Sequence, residues 1–153
     1  EWYACMDEAA ELVDFSQMPD IQGYDIDDEM VRIARENAKL AGVEQYIHFQ
    51  RRGIVALSHP KKYGFIITNP PYGERLEEKE ALPKLYKEFG DAFKNLDSWS
   101  AYMITSYEEA ERYFGRKADK NRKIYNGMLR TYFYQFQGPR PPRKTVREQG
   151  MAL

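Results

Sequence analysis

Asn69-Pro70-Pro71-Tyr72 is the segment of this chain with the most chemistry in it. An Asn side-chain oxygen and a backbone carbonyl beside it are two acceptors that can grip the two hydrogens of an exocyclic amine, such as that of adenine or guanine. Two successive prolines fix φ at both positions, bring no N–H to compete for the carbonyls, and hold the preceding Asn69 extended, so the acceptors stand on a stiff loop. Tyr72 adds a flat face on which a base lifted out of its stack can lie, a contact worth about 1–3 kcal/mol per base. Four residues are a short pattern, and an isolated Asn-Pro is an ordinary turn signal. Its setting therefore carries weight.

The loop follows the apolar run Phe65-Ile66-Ile67, inside a strand predicted over residues 63–68. Upstream, Ile21-Gln22-Gly23-Tyr24-Asp25-Ile26 reads as a strand, and Asp27 is a natural N-cap with Asp28 and Glu29 in the first helical turn. The helix runs to about residue 41, with Met30, Ile33, Ala34, Asn37, Leu40 and Ala41 on one face and Gly42 as its stop. Residues 46–50 form the next strand. Strand, helix, strand, loop, strand is the grammar of a parallel sheet with crossover helices. Downstream, Leu82, Leu85, Tyr86, Phe89, Phe93 and Leu96 stripe a long amphipathic helix over residues 78–96. A strand over 100–105 and a short helix over 108–114 follow. Asn126-Gly127, between strand-like runs at 123–125 and 128–137, signals an antiparallel hairpin. Residues 138–153 make an extended basic tail rich in proline.

A second constellation lies at the end of the first strand. There a carboxylate can accept from both hydroxyls of the ribose of an adenosine-containing cofactor, and Asp25 holds that position. A merely local cap for the following turn is the alternative. Because Asp25 and the Asn-Pro-Pro-Tyr loop both end strands of one expected sheet, they are expected to face one crevice.

Composition sets outer limits. The chain has 153 residues, 42% of them hydrophobic and 31% charged, which suits one globular domain with a real core. No apolar run reaches membrane-helix length, the first residues lack signal-peptide character, and the single Cys5 cannot close an internal disulfide, so a cytoplasmic setting is expected. The net charge of −1 conceals a split: residues 1–111 carry 12 Lys/Arg against 22 Asp/Glu, while residues 112–153 carry 11 against 2. A basic third is either a phosphate-facing surface or a solvated tail. Interleaving of Arg112, Tyr113, Arg116, Arg122, Lys123, Tyr125, Arg130, Tyr132 and Tyr134 favours nucleic acid.

Taken together, Gly23-Tyr24-Asp25-Ile26-Asp27, then Ile66-Ile67-Thr68-Asn69-Pro70-Pro71-Tyr72-Gly73-Glu74-Arg75-Leu76, then Leu85-Tyr86, Tyr125-Asn126-Gly127 and Gly138-Pro139-Arg140-Pro141-Pro142-Arg143 form a recognisable pattern. It resembles the class I S-adenosylmethionine-dependent methyltransferases. More narrowly, it resembles the THUMP-associated group that methylates guanine N2 of large-subunit ribosomal RNA, often labelled generically as adenine-specific DNA methylases. The resemblance covers about residues 1–144. It implies an α/β, Rossmann-like sheet, mostly parallel with a C-terminal antiparallel hairpin, and S-adenosylmethionine as cofactor.

By this resemblance Asp25 holds the cofactor ribose, Ile26 belongs to the cofactor site, Asn69 and the Pro70 carbonyl hold the target amine beside the cofactor, Pro71 stiffens the loop and Tyr72 stacks on the base. Gly73 and Arg75 on the loop, with Arg122 and Lys123 in the basic third, are expected to meet substrate. Glu74 and Arg75 are expected to pair with each other. The reaction implied is in-line methyl transfer from a sulfonium to nitrogen. Two acceptors that localise the amine lone pair, together with positioning, suffice without a strong base.

Two departures from the family pattern qualify these expectations. No strand followed by a glycine-rich turn precedes residue 21, and residues 6–15 read as a helix. The chain is therefore expected to be a partial catalytic domain spanning residues 1–153, lacking the first strand and an N-terminal part of its own enzyme. Alone it is expected to bind S-adenosylmethionine weakly or not at all, and its unpaired sheet edges invite dimerisation or aggregation. Arg51-Arg52-Gly53 stands where relatives carry an acidic residue for the adenine amino group, leaving that contact to backbone groups or Ile54. His48 and His59 lack partners at metal-ligand spacing, so no metal site is expected. Trp99 is expected to be a lid over the core. Two other functions compete with RNA guanine methylation: adenine-N6 methylation of DNA, and a non-catalytic RNA-binding module.

Overall fold

The computed structural model describes residues 1–142 except 15, 17, 74 and 75. The chain divides after Gly53 into two compact units.

The first unit holds α1 (Trp2–Glu11), β1 (Ile21–Asp25), α2 (Asp28–Leu40) and β2 (Ile47–Arg51). Strands β1 and β2 pair in parallel with Ile21 opposite Ile47 and Asp25 opposite Arg51. Helix α2 starts where expected: the Asp27 side chain accepts from the Glu29 N–H at 2.8 Å, and Asp28 and Glu29 occupy the positive end of the helix dipole. Gly42, at φ +70°, ends it. The expected apolar face is corrected, because Val31 and Ala38 are the buried residues while Met30 and Leu40 are exposed, Leu40 by 87%. A helix repeat of 3.6 lets two neighbouring stripes look equally apolar, and smaller residues at 31 and 38 make the closer contact.

The second unit is a four-stranded sheet in the order β3-β4-β6-β5, built from β3 (Phe65–Thr68), β4 (Ser100–Thr105), β5 (Lys120–Asn126) and β6 (Leu129–Phe136). Strands β3 and β4 are parallel, β6 runs antiparallel to both β4 and β5. Helix α3 (Leu76–Lys94) connects β3 to β4, and α4 (Ala110–Phe114) connects β4 to β5. The expected stripe holds, since Leu82, Tyr86, Phe89, Phe93 and Leu96 are buried. Of these, Leu82, Tyr86, Phe89 and Phe93 pack with Phe114 and with Ala101, Met103, Tyr134 and Phe136, which alternate along β4 and β6. Trp99 covers this core as expected, its indole N–H donating to the Lys61 carbonyl at 2.8 Å.

The hairpin forms with a shifted turn. Asn126 already pairs with Leu129, so Gly127 and Met128 are the central residues. Only Gly127 has positive φ (+60°), the signature of a II′ turn rather than the I′ turn that Asn-Gly suggests. Among the described residues strand β3 pairs with β4 alone, and its Phe65 and Ile67 are exposed, Ile67 by 83%.

Helices α3 and α4 approach closely at Gly90. A Cβ there would lie 2.0 Å from the Phe114 carbonyl oxygen. Gly90→Ala is therefore expected to destabilise the chain by about 1–3 kcal/mol through forced separation of the helices, despite a helix propensity better by about 1 kcal/mol. Chemical denaturation checks this, and a stability equal to or above the parent would refute the close approach.

Candidate active site

The Asn-Pro-Pro-Tyr loop follows β3 directly, at the end of the sheet where β4 also finishes. Asn69 is exposed, Pro70 half-buried and Tyr72 half-buried. Tyr72 is thus neither sunk into the core nor fully exposed. The Tyr72 hydroxyl donates to Asn69 Oδ1. An amide oxygen has two lone pairs, so one acceptor position remains for a ligand amine while the tyrosine is in place. The Pro70 carbonyl takes no hydrogen bond from the described residues.

The far side of the loop is anchored. Gly73 is buried at φ +78°, and a Cβ on it would meet Leu82 Cδ1 at 2.8 Å and Lys79 Cγ at 2.9 Å, so only glycine lets the chain lie this close to α3. Tyr86, on α3, sends its hydroxyl to the Pro71 carbonyl at 3.2 Å and to Thr105 Oγ1 at 2.5 Å. Burial pushes the Tyr86 hydroxyl up to about 12, so it stays protonated through the neutral range. Sequence reading places Tyr86 only in the core stripe. The available signal was a tyrosine on a stripe otherwise filled by leucine and phenylalanine, because a buried hydroxyl demands a partner. Arg75 and Glu74, with their expected pairing, fall outside the described residues.

From Tyr86 a row of rings leads outward: Tyr107 at 5.0 Å, then Tyr113 at 6.1 Å from Tyr107, with the Arg112 guanidinium 5.4 Å over Tyr113. Arg130 lies 5.5 Å over Tyr132 and pairs with Glu108 at 2.8 Å. The cation and ring interleaving of the basic third therefore exists on the surface, but Tyr134 belongs to the core instead. Arg122 and Lys123 are exposed on β5. Adjacent strand residues point to opposite faces, so they cannot address one ligand from the same side. Strands β4 and β6 stand between β5 and β3, which puts β5 about 14 Å across the sheet at ordinary strand spacing.

In the first unit, Asp25 ends β1 and is exposed. Its Oδ1 accepts from the Asp27 N–H at 2.9 Å, a local turn contact, while its other oxygen has no partner among the described residues. Asp25 therefore caps locally and keeps acceptor capacity for a ligand. Ile26 beside it is exposed, and Gly53 lies against its side chain, with a Cβ position 4.0 Å from Ile26 Cδ1. Arg51 donates to the Ile26 carbonyl at 2.9 Å and reaches Asp28 at 3.3 Å, so its charge is used to brace the strand-to-helix turn. Ile54 begins the second unit in a 3-10 turn (Ile54–Ala56) and packs against that unit's core.

Residues 1–135 match the UPF0020 family, the RMKL-like methyltransferase domain. The chain is 44% identical over 144 residues to YpsC of Bacillus subtilis, provisionally assigned as an RNA methyltransferase, covering 94% of this chain and 37% of that protein. It is 34% identical over 142 residues to the ribosomal RNA large subunit methyltransferase K/L of Syntrophotalea carbinolica, covering 88% of this chain and 20% of the relative. Among solved structures, SMU.472, provisionally assigned as a methyltransferase and crystallised with SAH, superposes with a TM-score of 0.82 at 43% identity over 89% of this chain and 36% of its own. The chain thus spans well under half the length of each.

Proposed function

The chain belongs to the RMKL-like methyltransferase domain family, and from that premise we propose that it serves to transfer a methyl group from S-adenosylmethionine to an exocyclic nucleobase amine, guanine N2 of large-subunit ribosomal RNA. The observation that carries this reading is the loop after β3: an exposed Asn69 and a Pro70 carbonyl to which no described residue donates, on a proline-stiffened backbone beside the half-buried Tyr72. The ribosomal RNA methyltransferase K/L among the relatives supports RNA as substrate, and the SAH complex of SMU.472 supports the cofactor.

The residues present fit the nucleoside end of that cofactor. Asp25 offers a carboxylate oxygen for ribose hydroxyls and Ile26 an exposed apolar side chain for the adenine. Arg51 is committed to the Ile26 carbonyl and Asp28, which leaves recognition of the adenine amino group to backbone. When bound, S-adenosylmethionine supplies an electrophilic methyl on a sulfonium. Asn69 and Pro70 accept the two amine hydrogens, which turns the nitrogen lone pair out of conjugation with the ring. Tyr72 stacks on the extruded base, and the Asn69 oxygen takes the amine on the lone pair that the Tyr72 hydroxyl leaves open. The methylated nitrogen is acidic and loses its proton to water afterwards, so no strong base is required.

Mass spectrometry of nucleosides from RNA and DNA treated with the full-length gene product tests this reading. N2-methylguanosine in RNA is the expected product. N6-methyldeoxyadenosine in DNA would replace the substrate assignment, and RNA binding without any methylated nucleoside would replace the enzyme by a binding module.

Asp25→Asn retains an oxygen for the Asp27 N–H, so the turn survives, but removes the charge on the ribose acceptor. Hydrogen bonds to a charged group are worth about 1.5–3 kcal/mol, so cofactor affinity is expected to fall about 10- to 100-fold by calorimetric titration of the full-length product. Unchanged affinity would take Asp25 out of the site.

A further inference from the structure

We infer that Tyr86 and Thr105 are positioning residues that set the Asn-Pro-Pro-Tyr loop in its reactive conformation, a role that rests on the methyl-transfer reading above. The direction of the bonds is dictated by proton count. Tyr86 has one hydroxyl proton, and the Pro71 carbonyl, 3.2 Å away, can only accept it. Thr105 must therefore donate its own proton to the Tyr86 oxygen across 2.5 Å. Thr105 Oγ1 in turn accepts the Tyr107 N–H at 3.1 Å. The chain Tyr107 N–H to Thr105 to Tyr86 to Pro71 is complete, with no donor or acceptor along it contested.

It is also shielded from water, since Tyr86 is 1% exposed and Thr105 0%. Buried side-chain polar atoms without a partner are absent among the described residues. Thr105 is the last residue of β4, the strand beside β3, and Tyr86 lies in α3, so the loop is tied to two rigid elements.

The target of this restraint is the freedom that the prolines leave. Their rings fix φ at residues 70 and 71 but not ψ. The Pro71 carbonyl lies in the Pro71–Tyr72 peptide plane. Holding it sets ψ of Pro71 and with it the point from which the Tyr72 ring and the neighbouring Pro70 carbonyl are presented. Misplacement of reacting groups by about 1 Å from a remote change can cost about 10²-fold in rate, so a single hydroxyl here matters more to turnover than to stability.

Tyr86→Phe deletes that hydroxyl with the ring retained. In the full-length product it is expected to lower kcat about 10- to 100-fold while KM for cofactor and for RNA each stay within about 2-fold. Thr105→Val is expected to do the same, and Thr105→Ser to restore turnover, because serine keeps the donor. Independently of activity, amide hydrogen exchange at Tyr72 and Gly73 is expected to quicken about tenfold in Tyr86→Phe, with the amides of β4 and β6 unaffected. Normal kcat in Tyr86→Phe, or unchanged exchange at Tyr72 and Gly73, overturns the inference. Full activity in Asn69→Ala would instead remove the methyl-transfer reading, and the exchange measurement would still judge the loop restraint.

Discussion

Replacing Asn69 by Ala is expected to lower methyl transfer about 10²–10³-fold while leaving RNA affinity nearly unchanged. The substitution deletes one of two acceptors aimed at the amine. Losing one preorganised hydrogen-bonding group at the reacting centre of an enzyme costs about 10²–10³-fold in kcat. The fold should not notice, because Asn69 is exposed and its side chain bonds only to the neighbouring Tyr72 hydroxyl among the described residues. Under the proposed reading RNA affinity persists, because the phosphate-facing surface is assigned to the basic third of the chain, where Arg112 lies over Tyr113 and Arg130 over Tyr132. Single-turnover rates with saturating cofactor and RNA measure the chemistry, and filter binding measures the affinity. Wild-type turnover by Asn69→Ala would remove the amine clamp, whatever the fate of the rest of the site.

What the sequence made legible has a physical pattern. Asp27 as N-cap, Gly42 as helix stop and the α3 stripe were readable because each reflects one residue meeting its local backbone. The loop was readable for the same reason, since proline acts on its own φ. Choices made by packing were not. The buried side of α2 passes through Val31 and Ala38 instead of Met30 and Leu40 because contact with β1 and β2 decides between two apolar stripes. The hairpin turn moved one residue because cross-strand register, with Asn126 opposite Leu129, overrides the dipeptide signal. Tyr134 looked like surface and is core because its strand alternation faces α3 and α4. Tyr86 shows the limit most clearly. Helical spacing predicts that it is buried, but only the fold reveals that Thr105, nineteen residues further on, completes its hydrogen bonding.

The largest stability effect is expected at Phe114, the last residue of α4. Its ring meets Phe89 edge-on at 5.0 Å, Phe93 at 5.5 Å and Phe136 at 4.2 Å, so it joins α3 to β6 through α4. Truncating a buried phenylalanine to alanine costs about 3–5 kcal/mol, the higher figures applying where neighbours cannot collapse into the space. Collapse is restricted here. The α4 backbone already touches α3 at Gly90, with the Phe114 carbonyl oxygen 2.0 Å from where a Cβ would stand, so the helices cannot close the gap by moving nearer. Phe114→Ala is therefore expected near the top of that range, a large share of the about 5–15 kcal/mol that typically separates folded from unfolded states. Leu40→Ala on exposed α2 surface provides the contrast, with an expected change of about 0.5 kcal/mol or less. Urea denaturation of both variants decides the matter. A cost below about 1 kcal/mol for Phe114→Ala would mean that the four rings do not form the second unit's core, and the β3 loop that α3 supports would lose its rigid base.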